Sequence, residues 1–302
     1  MFQEKELIVS KNSASCRLDK FIHLSCKNVS RAFIQNLIKG KKILVNNKVS
    51  KASYKVKEDD RILIEKNELL EPRAKKEKIH LKIIFEDKDL IIVNKAQGMV
   101  THPASGIYSG TLVNALLYHC KDSLSGINGV LRPGIVHRLD KETSGLIIAC
   151  KNNFSHNEIA KQIKERTLKR SYYAIVHGNV QYSKGTINKP IGRHKTQRYK
   201  MAVVQGGRRA VTHWVVLKKI QNYTLLECNL ETGRTHQIRV HMASIGHPIV
   251  GDNTYGKKND PYPMMLHAYK LVFTHPENKK EIYLETKMPE RFSKVITQLA
   301  LR

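Results

Sequence analysis

The sequence predicts an α+β fold: a domain built on a mixed, largely antiparallel sheet, preceded by a small α/β module. Three observations predict it. Apolar runs of strand length follow one another directly, with helical patterns interspersed irregularly rather than in strict alternation. A polar stretch without periodicity, EKNELLEPRAKKEK at 65–78, divides a short amino-terminal segment from the rest. The 302 residues suffice for one large core and a small second unit. The expected division is a module over 15–66, a linker over 67–78 and a main domain over 79–302.

In the module, two helical patterns precede short strands. Phe33, Ile34, Leu37 and Ile38 form one apolar stripe of the second helix, while Arg31, Gln35 and Lys39 fall on the opposite face at i, i+4, i+8. Ser30 suits its N-cap and Gly40 its C-cap. KKILVNNKV then reads as a strand turning at Asn46-Asn47, which puts Lys41 and Lys42 where the basic helix meets the strand. VKEDDRILI supplies an acidic turn and a closing strand. Further on, LKIIFEDKDLIIVNKAQGM reads as two strands around an EDKD turn. GLIIACK, RSYYAIVHG, THWVVLKKI and YTLLECNLE follow as strands, and TLVNALLYHC and THQIRVHMASIG as helices.

Charge narrows the function classes. The 53 basic residues outnumber the 26 acidic ones, for a net +27, an excess that suits a polyanionic partner. From Arg166 to Leu226, 61 consecutive residues hold thirteen Lys or Arg and no Asp or Glu. A solvated surface explains isolated lysine pairs, but not so long a stretch without acids. Nucleic acid is favoured over a membrane surface, because these cations alternate with strand-like apolar residues and form no long amphipathic helix. No apolar run approaches the roughly 20 residues of a spanning helix. The start, MFQEKELIVSKNS, lacks the basic patch, apolar core and cleavage site of a secretory signal, so the expected location is cytoplasmic.

Several chemistries lack their signatures. There is no G-x-x-x-x-G-K-[ST], no G-x-G-x-x-G and no G-x-S-x-G. The five cysteines show no C-x-x-C spacing, H-E-x-x-H is missing, and His236 and His241 stand five apart, so no metal is expected. What remains is a set of Arg, Asp and Tyr residues on separate elements of a basic domain.

Those residues carry a family resemblance. RPGIVHRLDKETSGLIIACK at 132–151, RSYYAIVHG at 170–178 and LETGRTHQIRVHMASIGHPIVGDNTYG at 230–256 resemble the three core motifs of the RluA-type pseudouridine synthases. VNKAQGMVTHP, GTLVNALLYH, PIGRHKTQRYKMAV and LHAYKLVFTHP match in the same order. The chain departs at Ala96, where the family has proline, and at Arg170, where lysine is common. The module, through RLDKFI at 17–22 and SRAFIQNLIKGKKILVNNKVS at 30–50, resembles a small RNA-binding module shared by a ribosomal protein, some tRNA synthetases and many RNA-modifying enzymes.

The resemblance implies an isomerase that needs no cofactor, because uridine and pseudouridine have the same atoms. It makes Asp140 the reacting carboxylate, acting on the ribose as base or nucleophile. Taken alone, an aspartate in RLDK reads as a turn or N-cap residue. Arg138, two residues earlier, is implied to fill the place of the flipped uridine, a task suited to a planar, stacking cation; a phosphate contact is the simpler reading. Tyr172 is implied to stack on the uracil, Arg234 to pair with Asp140 and keep it ionised, and Leu266 to pack against the base, where plain core packing is the alternative. His236 and Arg239 are expected to be structural or to contact RNA. Arg31, Lys39, Lys41 and Lys42 of the module, and Arg193, Lys195, Arg198 and Lys200 of a basic hairpin, are expected to bind RNA. The expected partner is structured RNA, foremost large-subunit (23S) ribosomal RNA or an assembling subunit, with the chain acting as a monomer and without a membrane. A transfer-RNA specificity, or a non-catalytic RNA-binding assembly factor, is the alternative.

Overall fold

The computed structural model describes residues 5–26, 29, 31–65, 74–104, 106–121, 123–129 and 131–300. The chain divides into two compact units, Met1–Ala74 with Gly129–Arg132, and Lys75–Asn128 with Pro133–Arg302. Ser30, the expected N-cap, and residues 67–73 of the expected linker lie outside the described residues.

The first unit contains β1 (Lys5–Ile8), α1 (Leu18–Ser25), α2 (Arg31–Lys39), β2 (Ile43–Val45), β3 (Lys48–Val49) and β4 (Arg61–Ile64). Its strands form an antiparallel sheet in the order β1-β4-β2-β3. The predicted stripe of α2 is buried, and packs with Leu18, Ile22, Ile43, Ile62 and Ile64. Asn46 and Asn47 both take positive φ, 49° and 61°, as a two-residue hairpin turn of matching twist requires. At the end of α2 Gly40 donates its N–H to Asn36, but the left-handed residue is Lys41, at φ 58°. The polar face of the unit is organised by Asp19, which is fully buried. Its carboxylate takes both Arg17 and Arg31 side-on and accepts from Gln35. Burial opposes its charge, yet these donors hold its pKa well below the carboxylate range.

The second unit contains β5 (Ile83–Glu86), β6 (Leu90–Lys95), α3 (Leu112–His119), β7 (Ser144–Cys150), α4 (Asn153–Glu165), β8 (Lys169–His177), β9 (Lys184–Asn188), β10 (Ile191–Arg193), β11 (Met201–Val203), β12 (Val211–Ile220), β13 (Tyr223–Leu230), α5 (Gln237–Ala243), β14 (Leu266–Thr274), β15 (Glu281–Glu285) and α6 (Glu290–Ala300). Nine strands form one sheet in the order β5-β6-β7-β14-β8-β13-β12-β9, with β15 also on β14. Every described pairing is antiparallel except β7 with β14, so the sheet is mixed and largely antiparallel, as predicted. All seven residues of β7 are buried, as expected of a strand covered on both faces. Ile159 of α4 packs with Leu146, Ile148, Leu271 and Phe273 on one of those faces. β10 and β11 pair separately as a hairpin. No helix among the described residues is long and apolar enough to cross a membrane.

Gly145 shows how tightly β7 meets β14. A Cβ there would fall 2.1 Å from the carbonyl oxygen of Ala268, and its φ of 119° excludes other residues as well. This close approach lies at the register where Ala268 also faces Tyr172 of β8, on the floor of the site described next.

Candidate active site

The loop from Gly134 to Thr143 carries Asp140 and is fastened from several sides. His137 accepts the backbone N–H of Ile148 at 3.1 Å, and burial, with Arg170 nearby, pushes its imidazole down to about 3, so it is a neutral pin. Thr101 donates its hydroxyl to the carbonyl of Leu139 at 2.7 Å, and Gly98 its N–H to that of Lys141 at 2.9 Å. Lys95, 2% exposed at the end of β6, donates its ammonium to the carbonyls of Ala96, Met99 and Lys141. Burial pushes its pKa down to about 7, against the pull of Asp140 and Glu142. Backbone alternation then buries Leu139 and turns Arg138 to solvent, while Asp140 keeps 15% of its side chain exposed.

The cation at Asp140 is Arg239, which corrects the expectation for Arg234. Arg239 Nη1 lies 3.2 Å from Asp140 Oδ2. Its Nε and Nη2 donate to the two oxygens of fully buried Asp252 at 2.7 and 2.9 Å. Burial works against charge on this guanidinium, but the two carboxylates, Asp252 foremost, raise its pKa above the ordinary value. His236 Nε2 stands 3.8 Å from Asp140 Oδ1. Among the described residues these two are the ion-pair partners of Asp140. Arg234 instead donates its Nε to the carbonyl of Arg209 at 3.0 Å, and burial together with Arg208 and Arg166 lowers its pKa. The loop between β13 and α5 turns it back toward β12, into a group of arginines. Arg239, by contrast, is the third residue of α5, and His236, the left-handed residue just before that helix, faces the same carboxylate.

Tyr172 is buried on β8, and burial raises its hydroxyl pKa, with Arg170 lowering and Asp140 raising it. Asp140 thus lies near enough to act on the Tyr172 hydroxyl. Leu266 and Ala268 of β14 pair with Ala174 and Tyr172, and directly opposed residues share a sheet face, so Leu266 belongs to the same floor. Tyr173 points to the opposite face, where it stacks on Tyr269 at 3.8 Å. Arg170 is buried, with its guanidinium 2.8 Å from where a Cβ on Gly233 would lie. Arg193, Lys195 and Arg198 are exposed on the hairpin; Arg193 braces it by donating to the carbonyl of Arg198, and Lys200 lies over Tyr199. Lys39, Lys41 and Lys42 are exposed in the first unit, Lys42 paired with Glu65, while Arg31 turns its Nε and Nη2 to Asp19 with its side chain still 44% exposed.

Sequence reasoning missed Arg239 as the partner of Asp140, and also Lys95, Asp252 and Tyr255. The i, i+3 spacing of His236 and Arg239 at the head of a predicted helix was the available signal. For metal binding, oxygen and nitrogen atoms of Asp87, Asp89 and His275 lie within 4.8 Å of one another. His275 Nδ1 accepts the N–H groups of Glu277 and Asn278, so Nε2 carries the proton and donates it to Asp87 at 2.7 Å. That nitrogen is a donor and not a ligand.

A partly exposed carboxylate held by a guanidinium, with a buried tyrosine nearby on a mixed sheet of a strongly basic chain, suits an enzyme acting on RNA. Residues 89–244 match the family described as RNA pseudouridylate synthase, and residues 16–62 match the S4 domain. The chain belongs to the RNA pseudouridylate synthase family and is a pseudouridine synthase, an isomerase. It is 44% identical over 296 residues to the uncharacterized RNA pseudouridine synthase YlyB of Bacillus subtilis (strain 168), covering 97% of each chain. It is 40% identical over 302 residues to ribosomal large subunit pseudouridine synthase D of Zymomonas mobilis, covering 95% of this chain and 94% of that one. Human RNA pseudouridylate synthase domain containing 1 matches with a TM-score of 0.55 and 26% identity, over 73% of this chain and 94% of that one.

Proposed function

We propose that this chain isomerises selected uridines of large-subunit (23S) ribosomal RNA, with Asp140 as the single reacting carboxylate. The observation that carries the reading is the anchoring of Asp140 by Arg239, whose other edge is locked to buried Asp252. In the reaction the bond from ribose C1′ to uracil N1 breaks and one from C1′ to C5 forms; the C5 proton leaves and N1 gains one. As base or as nucleophile toward the ribose, Asp140 has to be ionised, and the guanidinium of Arg239 faces it at 3.2 Å.

Tyr172 supplies an aromatic face on which the freed base turns, with Leu266 behind it. Arg138, exposed beside the carboxylate, enters the helix in place of the flipped uridine. Arg234, among Arg166, Arg208 and Arg209, suits RNA phosphates, as do Arg193, Lys195, Arg198 and Lys200 of the hairpin and Arg31, Lys39, Lys41 and Lys42 of the S4 domain. The ribosomal target is supported by relatives about 40% identical over nearly the whole chain that are named ribosomal large subunit pseudouridine synthase D. Tritium release from RNA labelled at uridine C5, with 23S ribosomal and transfer RNA compared, tests it: release from ribosomal RNA is expected, and release from transfer RNA alone would reassign the substrate.

A further inference from the structure

The basic hairpin and the Asp140 site share one side chain, Tyr255. Its ring lies under the guanidinium of Arg239, 5.0 Å from the centroid, and packs with Met201 and Val203 of β11 against Ile191 and Val240. Its backbone N–H is held by Asp252 at 3.1 Å. Its hydroxyl accepts the N–H of Met201 at 2.8 Å and meets His236 Nδ1 at 2.7 Å.

The direction of these bonds follows from what faces the ring. His236 Nε2 faces the carboxylate of Asp140, which only accepts, so the proton belongs on Nε2 and Nδ1 accepts that of the Tyr255 hydroxyl. Burial keeps His236 below its ordinary pKa, so the ring is neutral and its remaining proton is on Nε2. That nitrogen is the one 3.8 Å from Asp140 Oδ1, just beyond hydrogen-bond length. A one-way relay thus runs from Met201 through Tyr255 and His236 toward the oxygen of Asp140 that Arg239 does not hold.

We propose that Tyr255 is a positioning residue that transmits the seating of RNA on the β10–β11 hairpin to the Asp140 carboxylate; this rests on Asp140 being the reacting group. Phosphates gripped by Lys195 and Arg198 load the strand that begins at Met201. The shift reaches His236 through the hydroxyl and brings Nε2–H into a hydrogen bond with Oδ1. Asp140 is then fixed at both oxygens only when the hairpin is occupied, which confines efficient turnover to RNAs that fill it.

A double-mutant cycle on the full chain tests the relay by single-turnover tritium release at saturating 23S RNA, with RNA affinity and thermal midpoint measured for each variant. Tyr255→Phe keeps the ring under Arg239 and is expected to lower the saturated rate about tenfold with affinity held within about twofold. Lys195→Ala is expected to lower affinity and the saturated rate, each about threefold, while the double variant has the saturated rate of Tyr255→Phe alone. His236→Gln cuts the next link and is expected to abolish the rate effect of Lys195→Ala in the same way, which carries the test if Tyr255→Phe does not fold. Rates that multiply in both cycles, or a Tyr255→Phe variant with the parent rate, would overturn the proposal. Asp140→Asn run alongside separates the two levels: turnover retained there removes the carboxylate role itself, whereas an inactive Asp140→Asn with multiplying rates removes the relay alone.

Discussion

Arg239 holds Asp140 through Nη1 at 3.2 Å and Asp252 through Nε and Nη2 at 2.7 and 2.9 Å. One guanidinium therefore aims a partly exposed carboxylate while its own direction is set by a fully buried one. The buried pair supplies rigidity, and the exposed pair is left for chemistry.

Breaking this arrangement should cost stability first. Arg239→Met leaves Asp252 buried without its cation and should destabilise the fold by ~3–5 kcal/mol, in the range found for broken buried pairs. Adding Asp252→Asn should restore part of that loss. The pKa of Asp252 is lowered in the fold: burial opposes its charge, but Arg239 and two backbone N–H groups prevail. A depressed carboxylate contributes stability above its unfolded pKa that is lost as pH falls through the folded value. Parent and double variant should thus converge in acid, as measured by denaturant unfolding across pH.

The two arginines of GRTHQIR should behave differently. Arg239→Lys keeps a cation but not the two-sided grip, and should lower single-turnover rate on the order of 10²-fold, ~3 kcal/mol, with affinity little changed. Arg234→Met should leave the saturated rate within about threefold, weaken binding, and make the salt slope shallower by about 1. A reversed pattern would restore Arg234 as the partner of Asp140 in the RNA-bound enzyme.

Lys95 should make stability depend on pH above neutrality. Its folded pKa of about 7 lies below the ordinary 10.5. Between those values the unfolded chain holds a proton that the folded chain has released, so the parent gains stability as pH rises, by at most about 1.4 kcal/mol per pH unit. Lys95→Met lacks this gain, so its deficit relative to the parent should widen from pH 7 toward pH 10. A constant deficit would mean that Lys95 stays charged on its three carbonyls.

The S4 domain should add affinity and not chemistry. Deleting residues 1–66 removes a net +8, fifteen basic against seven acidic residues, and should weaken RNA binding and flatten its salt dependence. Turnover at saturating RNA should persist, because the residues assigned to catalysis all lie beyond residue 94. Asp19→Asn should reproduce part of the binding loss by releasing Arg17 and Arg31, and lower the module's stability by ~1–3 kcal/mol. An unchanged salt slope in the deletion would show that this surface does not touch phosphate.

Much of the fold was legible because periodicity reports burial. The stripe of Phe33, Ile34, Leu37 and Ile38 and the unbroken apolar run of β7 each became the element predicted. β1 was missed because KELI is a mostly exposed edge strand with no apolar alternation, and its place depends on pairing with β4 far along the chain. α6 carried a usable pattern in Phe292, Val295 and Leu299, all buried, that was not read. At the site, Asp140 and Tyr172 were legible from ordered motifs. Which arginine meets Asp140 was not: the spacing of His236 and Arg239 only hints at it, and the choice depends on α5 starting at Gln237 and on the packing of Arg239 against Asp252.

The proposed isomerisation needs the carboxylate of Asp140. Asp140→Asn keeps the volume and the hydrogen-bonding capacity toward Arg239 but removes the charge, so RNA affinity should stay within a few fold of the parent, with single-turnover release of tritium from C5 of uridine in 23S RNA down by at least about 10⁴-fold, ~5.5 kcal/mol. Tight binding with no turnover is the expected result. Release by Asp140→Asn at a rate near that of the parent would contradict it and place the reacting group elsewhere.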